Sequence, residues 1–300
     1  MKRKVIKQAS QAYTITLPIE WVRQNNISKD SELDINISEK SLIITNFGQI
    51  EHKRIKLNVE GLNDRNISRI IKALYANGVD EIELESNENI SSSIIKHLHD
   101  VIGYALVSQK DNKFIIKDLG SANYSDLDEI FKRVFQMILS FYESAIEDIF
   151  GKEKETLDTL IARDLEINKF SLYLQRAINK MSYHDPIKGR ILFTYSFEIE
   201  KIGDEIQRLW RTNIKYKVKK SKELKKLTEQ SKEGLEKAFE FYYQFNTKKS
   251  EEITLLRDKV RESSMNLSAD KFTTRFIRHI VKIIEEAADL SHLTLMIKLE

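Results

Sequence analysis

The sequence contains no cysteine, which excludes disulfide bonds, thiol catalysis and zinc sites built on thiolates. Only two prolines and nine glycines occur among the 300 residues, and this composition favours long helices. No apolar run approaches the roughly 18 residues that a membrane-spanning helix needs. The basic start of the chain also lacks the apolar core of a signal peptide. These absences predict a cytoplasmic protein without a membrane span.

Motifs of the common enzyme classes are missing too. The chain has no phosphate-binding loop, no Gly-x-Gly-x-x-Gly, no Gly-x-Ser-x-Gly and no His-Glu-x-x-His. We therefore expect a protein that is not an enzyme. Charged residues make up 32% of the chain, but the formal net charge is only +3, so contact with nucleic acid would require a local basic patch.

The first 48 residues are predicted to form short strands and one brief helix. Alternating, β-branched residues indicate strands over 13–17 and 33–37, and residues 42–45 complete a hairpin with the second strand. Pro18 suits the start of a short helix over 19–24. A segment this small lies near the lower limit for an independent fold, so we expect two copies to intertwine.

Basic residues dominate the first 24 positions, where the single acidic residue is Glu20. Basic side chains on paired strands can contact DNA phosphates or bases. The candidate DNA-binding residues are Arg3, Lys4, Lys7 and Arg23. A charged edge strand that resists aggregation explains the same residues equally well, so both interpretations stay open.

The rest of the chain divides into two regions. Strand and helix patterns alternate as β-α-β-α-β-β over residues 52–119, which predicts a small α/β module. Only helical periodicity follows over residues 124–300, and Asp185-Pro186 is a strong helix start signal. We predict six helices, near 125–149, 154–181, 186–218, 221–246, 250–265 and 270–299.

The helical region carries a weak internal repeat, with units near 124–219 and 221–300. The third helix of each unit contains a carboxylate pair four residues apart: Glu200 with Asp204, and Glu285 with Asp289. Such pairs share one helix face and could chelate a hard cation through oxygen atoms. Chance produces this spacing often in a chain so rich in acids, and only its repetition favours a metal site.

Seven lysines crowd the junction between the two units, between residues 215 and 226. They could form a surface for an anion or an acidic partner. A solvated linker whose charges follow a helix end explains them more simply.

The N-terminal segment resembles the AbrB/SpoVT/MazE family of swapped-hairpin proteins. The residues that carry the resemblance are the Thr16-Leu17-Pro18 run with Trp21, followed by the strands at 33–35 and 42–44. This resemblance implies a domain in which two swapped hairpins form one DNA-binding head.

The helical region resembles the PhoU family. Ile199 to Asp204 closely match the Leu-Glu-Arg-Ile-Gly-Asp motif of that family, Glu285 to Asp289 form a looser copy, and Arg163 to Asn168 resemble its second-helix segment. The resemblance implies two three-helix repeats whose motifs bind metal, here a divalent or iron-type ion held by carboxylates. It also implies restraint of phosphate import or signalling, with a phosphate ABC transporter or a sensor kinase as partner.

Together these features resemble archaeal PhoU-domain proteins with an AbrB-type head. The predicted fold class is multidomain α+β: a swapped β-hairpin domain, a small α/β middle module and a PhoU-like all-α pair of three-helix bundles. We expect a homodimeric DNA-binding regulator of phosphate uptake. The main alternative is a regulator that binds the ATPase of a phosphate transporter and uses its hairpins only to dimerise. A third hypothesis is that the N-terminal domain is an antitoxin-type head.

Overall fold

The computed structural model describes seven stretches of the chain, which divide into two compact units. The described residues are 2–8, 12–38, 41–45, 52–120, 127–151, 154–180 and 186–299. Met1–His52 form one unit and Lys53–Glu300 the other, so the α/β module and the helices lie in the same unit. The predicted limits near residues 48 and 124, and the predicted helix cap at Asp185, fall outside the described residues.

Two antiparallel hairpins and one short helix form the N-terminal unit. They are β1 (Ile6–Gln8), β2 (Ala12–Thr14), α1 (Ile19–Gln24), β3 (Asp34–Ser38) and β4 (Ser41–Thr45). Pro18 stands one residue before α1, and its φ of −61° suits the entry to a helix. The predicted strand through Leu17 is shorter in the structure, because residues 15–17 pair with no other described strand.

The α/β module follows the predicted order. Its elements are β5 (Arg54–Asn58), α2 (Asp64–Ala76), β6 (Glu81–Glu85), α3 (Ser91–Leu98), β7 (Tyr104–Lys110) and β8 (Lys113–Asp118). The sheet order is β5-β6-β8-β7, with β5 parallel to β6 and the other neighbours antiparallel. A parallel pair needs a crossover connection, and α2 supplies it.

Turn residues in this module explain where its elements end. Gly78 follows α2 with a φ of +74°, a conformation that glycine adopts without strain. Asp111 and Asn112 both have positive φ, 51° and 60°, as a two-residue hairpin turn requires. The apolar pattern that predicts α3 continues past its end because Val101 still packs into the module core from the following turn.

Six long helices make up the described residues between 127 and 299. They are α4 (Leu127–Ile149), α5 (Leu157–Lys180), α6 (Pro186–Tyr216), α7 (Lys222–Tyr243), α8 (Thr247–Met265) and α9 (Lys271–Lys298). Their apolar faces share one core, in which Trp210, Phe131 and Phe276 are almost fully buried. None of these helices is long and apolar enough to cross a membrane. The predicted fold class is confirmed by this succession of strands, α/β module and helices.

A buried arginine joins the α/β module to the helices. Arg176 of α5 has no exposed surface. Its Nη1 donates to the carbonyl oxygens of Tyr75 at 3.0 Å and Val79 at 2.8 Å. Its Nη2 donates to the carboxylates of Asp80 at 3.2 Å and Asp118 at 2.6 Å. One side chain thus fixes the turn after α2 and the end of β8 against α5.

Candidate functional site

The four predicted DNA-binding residues are exposed in the N-terminal unit. Lys7 lies on β1 opposite Tyr13 of β2, and Arg23 lies in the last turn of α1. Arg3 and Lys4 precede β1. Within the described residues, none of the four forms an ion pair with an acidic side chain. Their charges are therefore available to an external anion.

The described side chains of the same unit form no buried core. No described side chain between residues 2 and 45 is buried. Eight large apolar side chains are between 41% and 84% exposed: Val5, Ile6, Tyr13, Ile15, Ile19, Ile35, Ile37 and Leu42. Soluble monomers rarely leave large apolar patches in contact with water, so side chains this exposed favour burial against another surface.

A second candidate site lies between α5 and α6, where three carboxylates form an acidic cluster: Asp164, Glu200 and Asp204. The predicted pair, Glu200 and Asp204, lies on one face of α6. Asp164 comes from α5 and was not among the predicted ligands. The signal for it was its position in the Arg163–Asn168 segment that resembles the PhoU family.

The three carboxylates are close enough to affect one another's pKa values. Burial, and then the charge of Asp204, raises the pKa of Asp164 to about 6. The same two causes raise the pKa of Glu200 to about 6. Burial also raises the pKa of Asp204, although its ion pair with Arg208 at 2.5 Å opposes the shift. Lys72 of α2 lowers the pKa of Asp164 and of Glu200, so the α/β module contributes positive charge to the cluster.

Oxygen atoms in the cluster are only partly satisfied. Asp164 Oδ2 accepts hydrogen bonds from Gln207 Nε2 at 2.9 Å and from Asn168 Nδ2 at 3.3 Å. Asp164 Oδ1 and Asn168 Oδ1 are buried and have no hydrogen-bond partner in the protein. Carboxylate and amide oxygens such as these two are the ligands that hard cations prefer. However, no three His, Asp or Glu side chains in the described ranges converge closely enough to hold a metal ion without moving.

The second predicted pair is arranged differently. Glu285 faces Arg261 at 3.5 Å, and Asp289 is exposed. The neighbouring Glu286 is buried instead, and it meets Glu198 of α6. Burial raises the pKa of Glu198 and its hydrogen bond with Glu286 adds to the shift, whereas the neighbouring Lys201 opposes it. Within the described ranges, Glu285 and Asp289 belong to no group of three ligating side chains.

Comparison with known proteins bears on the N-terminal unit. Residues 6–47 match the family described as antidote-toxin recognition MazE, bacterial antitoxin. The predicted resemblance of this segment to swapped-hairpin proteins is therefore confirmed. No curated protein matches the chain.

A solved structure similar to the helical region is the phosphate transport system regulatory protein PhoU from Streptococcus pneumoniae. The two share 14% sequence identity with a TM-score of 0.48, and the similarity covers 59% of this chain and 96% of that chain.

Proposed function

We propose that the chain is a dimeric DNA-binding regulator whose N-terminal units combine into one basic head. The observation that carries this proposal is an N-terminal unit with exposed apolar side chains and no buried ones among its described residues. We propose further that this regulator controls phosphate uptake, and this role rests on the motif resemblance of α6 and on the acidic cluster between α5 and α6.

Dimerisation follows from the energetics of a small domain. A chain segment of about 50 residues buries too little surface to fold stably by itself unless a metal, disulfide or second copy helps. Disulfides are excluded because the sequence has no cysteine. A second copy is the partner that every molecule of this protein has available. The match to a swapped-hairpin family supports the same solution.

DNA is the proposed ligand of the head because its cationic side chains lie free of acidic partners. Pairing two N-terminal units places two copies of Arg3, Lys4, Lys7 and Arg23 on one head, which doubles the positive charge that a DNA phosphate backbone meets. Arginine and lysine at strands contact phosphates and can reach base edges in the major groove.

A charge placed in the apolar surface tests the dimer. Ile37 is 84% exposed on β3, so Ile37→Glu costs little if the unit stays single. In an intertwined dimer the carboxylate becomes buried without a partner, at a cost of about 3 kcal/mol or roughly a hundredfold in dimer affinity. We expect the variant to run as a monomer in light scattering at micromolar concentration and to lose DNA affinity.

Leu255→Glu is the matched control, because Leu255 is 62% exposed on α8. This variant should stay dimeric and should bind DNA normally. Thermal unfolding of the Lys53–Glu300 unit should be the same in both variants. An Ile37→Glu chain with the mass and DNA affinity of the control would contradict the proposed head.

In the helical region we propose that the acidic cluster senses a hard cation or a proton. A divalent ion among Asp164, Glu200 and Asp204 would relieve the mutual repulsion that raises their pKa values. It would also supply a partner for Asp164 Oδ1. The ion would neutralise charge between α5 and α6, next to Lys72 of the α/β module.

A double variant separates cation binding from protonation. Because burial raises the pKa of Asp164 and Glu200 to about 6, their protonation stabilises the folded chain. This contribution is full below the unfolded pKa of about 4 and is lost as pH rises towards about 6. We expect Asp164→Asn with Glu200→Gln to flatten the fall in melting temperature over that interval. At pH 7, magnesium, manganese or ferrous ion should raise the melting temperature of the unmodified chain but not of the variant.

The second motif provides the control for this experiment. Glu285→Gln with Asp289→Asn removes an equal charge from the half-buried Glu285 and the exposed Asp289, away from the acidic cluster, so the response to cations should persist. If no ion stabilises the unmodified chain at pH 7, the metal proposal fails, and the pH dependence alone then describes the cluster.

The competing function is a protein-interaction regulator that docks on a transporter ATPase and uses its head only for dimerisation. Genome-wide DNA occupancy at high and low phosphate distinguishes the two. Occupancy at phosphate-uptake promoters that changes with phosphate is expected from the proposed function, whereas an absence of DNA occupancy supports the competitor.

A further inference from the structure

One end of the helical region collects basic side chains from two distant parts of the sequence. The end of α6, the connection to α7 and the start of α7 contribute the seven lysines from 215 to 226, and the first turns of α9 add Lys271, Arg275 and Arg278. All ten side chains are exposed. We call this surface the basic end.

Two contacts show that these segments adjoin. The rings of Tyr216 and Phe272 stack with centroids 4.3 Å apart and an interplanar angle of 12°. A cavity next to them is lined from both sides, by Lys219 and Ser221 on one and by Asp270 and Thr273 on the other. The lysine run is therefore part of a folded surface and extends onto α9.

The basic end carries an excess of positive charge. Its two segments, 215–226 and 270–278, contain two acidic residues, Glu223 and Asp270, and Lys225 also meets Glu229 at 3.7 Å. Asp270 is committed to capping α9, where it accepts hydrogen bonds from the backbone N–H groups of Phe272 at 2.9 Å and Thr273 at 2.8 Å. With ten basic side chains and two acids, the basic end has a larger positive charge than the +3 of the whole chain. The rest of the molecule is therefore net negative.

We infer that the basic end is a second DNA-binding surface, which contacts the phosphate backbone without reading sequence. An extended polyanion suits it better than a small anion does, because Glu223 and Asp270 line the cavity at its centre and would repel an anion there. Exposed lysines spread over several helical turns match the repeated charges of a duplex.

DNA also suits this surface better than an anionic membrane. Interfacial membrane binding requires several apolar side chains that insert between lipids. In residues 215–226 and 271–278, Phe272 is the one large apolar side chain that is exposed, and one face of its ring already stacks on Tyr216. The choice of DNA as ligand rests on the proposed function of the head.

The test measures affinity of the full chain for a long duplex of arbitrary sequence between about 50 and 200 mM salt, where counterion release dominates. The variant combines Lys219→Gln, Lys222→Gln and Arg275→Gln. Each lost phosphate contact should make the slope of log affinity against log salt less steep by about 0.9. We expect a change of about 2 to 3 in the slope and at least about a tenfold loss of affinity at the lower salt concentration.

The control combines Lys132→Gln, Lys248→Gln and Arg69→Gln, which removes the same side-chain types from exposed positions elsewhere. A basic-end variant with the slope and affinity of this control overturns the inference. Another result would also overturn the inference and assign the surface to membranes. In that result the unmodified chain sediments with phosphatidylserine vesicles, the basic-end variant does not, and the salt slope for DNA is unchanged. A wrong assignment of DNA binding to the head would give a different result: charge reversal at Arg3 and Lys4 would leave DNA affinity unchanged.

Discussion

Replacing Arg3 and Lys4 by glutamate is expected to abolish sequence-specific DNA binding by the full chain. Both side chains are exposed and lie clear of described acidic partners, so the substitutions break no contact in the fold. In a dimer each substitution occurs twice, and four cations become four anions on one head. Loss of four phosphate contacts at about 0.9 each in the salt slope, with added repulsion, predicts at least about a hundredfold loss of affinity near physiological salt.

A charge-matched control identifies the cause of that loss. Arg65→Glu with Lys248→Glu makes the same change in net charge at exposed positions on α2 and α8. This variant should retain specific binding with a modest change in overall affinity. Fluorescence anisotropy measures the specific affinity with an operator duplex, taken from a promoter that the protein occupies, and the non-specific affinity with a duplex of arbitrary sequence. Equal affinities of the two double variants for the operator would show that the predicted contact residues have no special role.

Replacing Arg176 by methionine is expected to destabilise the Lys53–Glu300 unit by about 3 to 5 kcal/mol, the usual cost of removing one partner from a buried ion pair. The methionine replaces only the aliphatic stem of the arginine and leaves the carboxylates of Asp80 and Asp118 without their guanidinium. The carbonyl oxygens of Tyr75 and Val79 each lose one of two donors, because the Gly78 N–H and the Tyr104 hydroxyl remain. Lys180 still contacts Asp80. The rings of Tyr75 and Tyr104, 4.9 and 5.3 Å from the guanidinium carbon, lose a cation.

Calorimetry measures this effect directly. A loss of that size lowers the melting temperature by about 6 to 20 °C in a unit of some 250 residues. Arg69→Met on the exposed face of α2 is the control, and exposed substitutions of this kind change stability by about 0.5 kcal/mol or less. An Arg176→Met chain that melts within about 2 °C of the control would mean that the arginine does not hold the α/β module to α5.

The succession of elements was largely predictable because its signals are local. Pro186 begins α6 as predicted, and helical periodicity located the six described helices between residues 127 and 299 to within a few residues. Asp111 and Asn112 marked the hairpin turn through residue types that tolerate positive φ. Such signals depend on the backbone of a few neighbouring residues, so one sequence is enough to detect them.

The candidate sites depend on contacts between distant residues and were harder to predict. Arg176 looks like an ordinary helix residue until α5 packs against the turn after α2, 97 residues earlier at Val79. Glu286 is buried while Glu285 is not, because one residue along a helix rotates a side chain by about 100°. The spacing of Glu285 and Asp289 identifies a shared helix face but does not say which face points inward.

The most direct test of the head is the mass of the full chain bound to a short operator duplex, measured by native mass spectrometry. The proposed function predicts two chains on each duplex, and a free protein with twice the mass of one chain. A single chain bound to each duplex, from a protein that is monomeric when free, would contradict it.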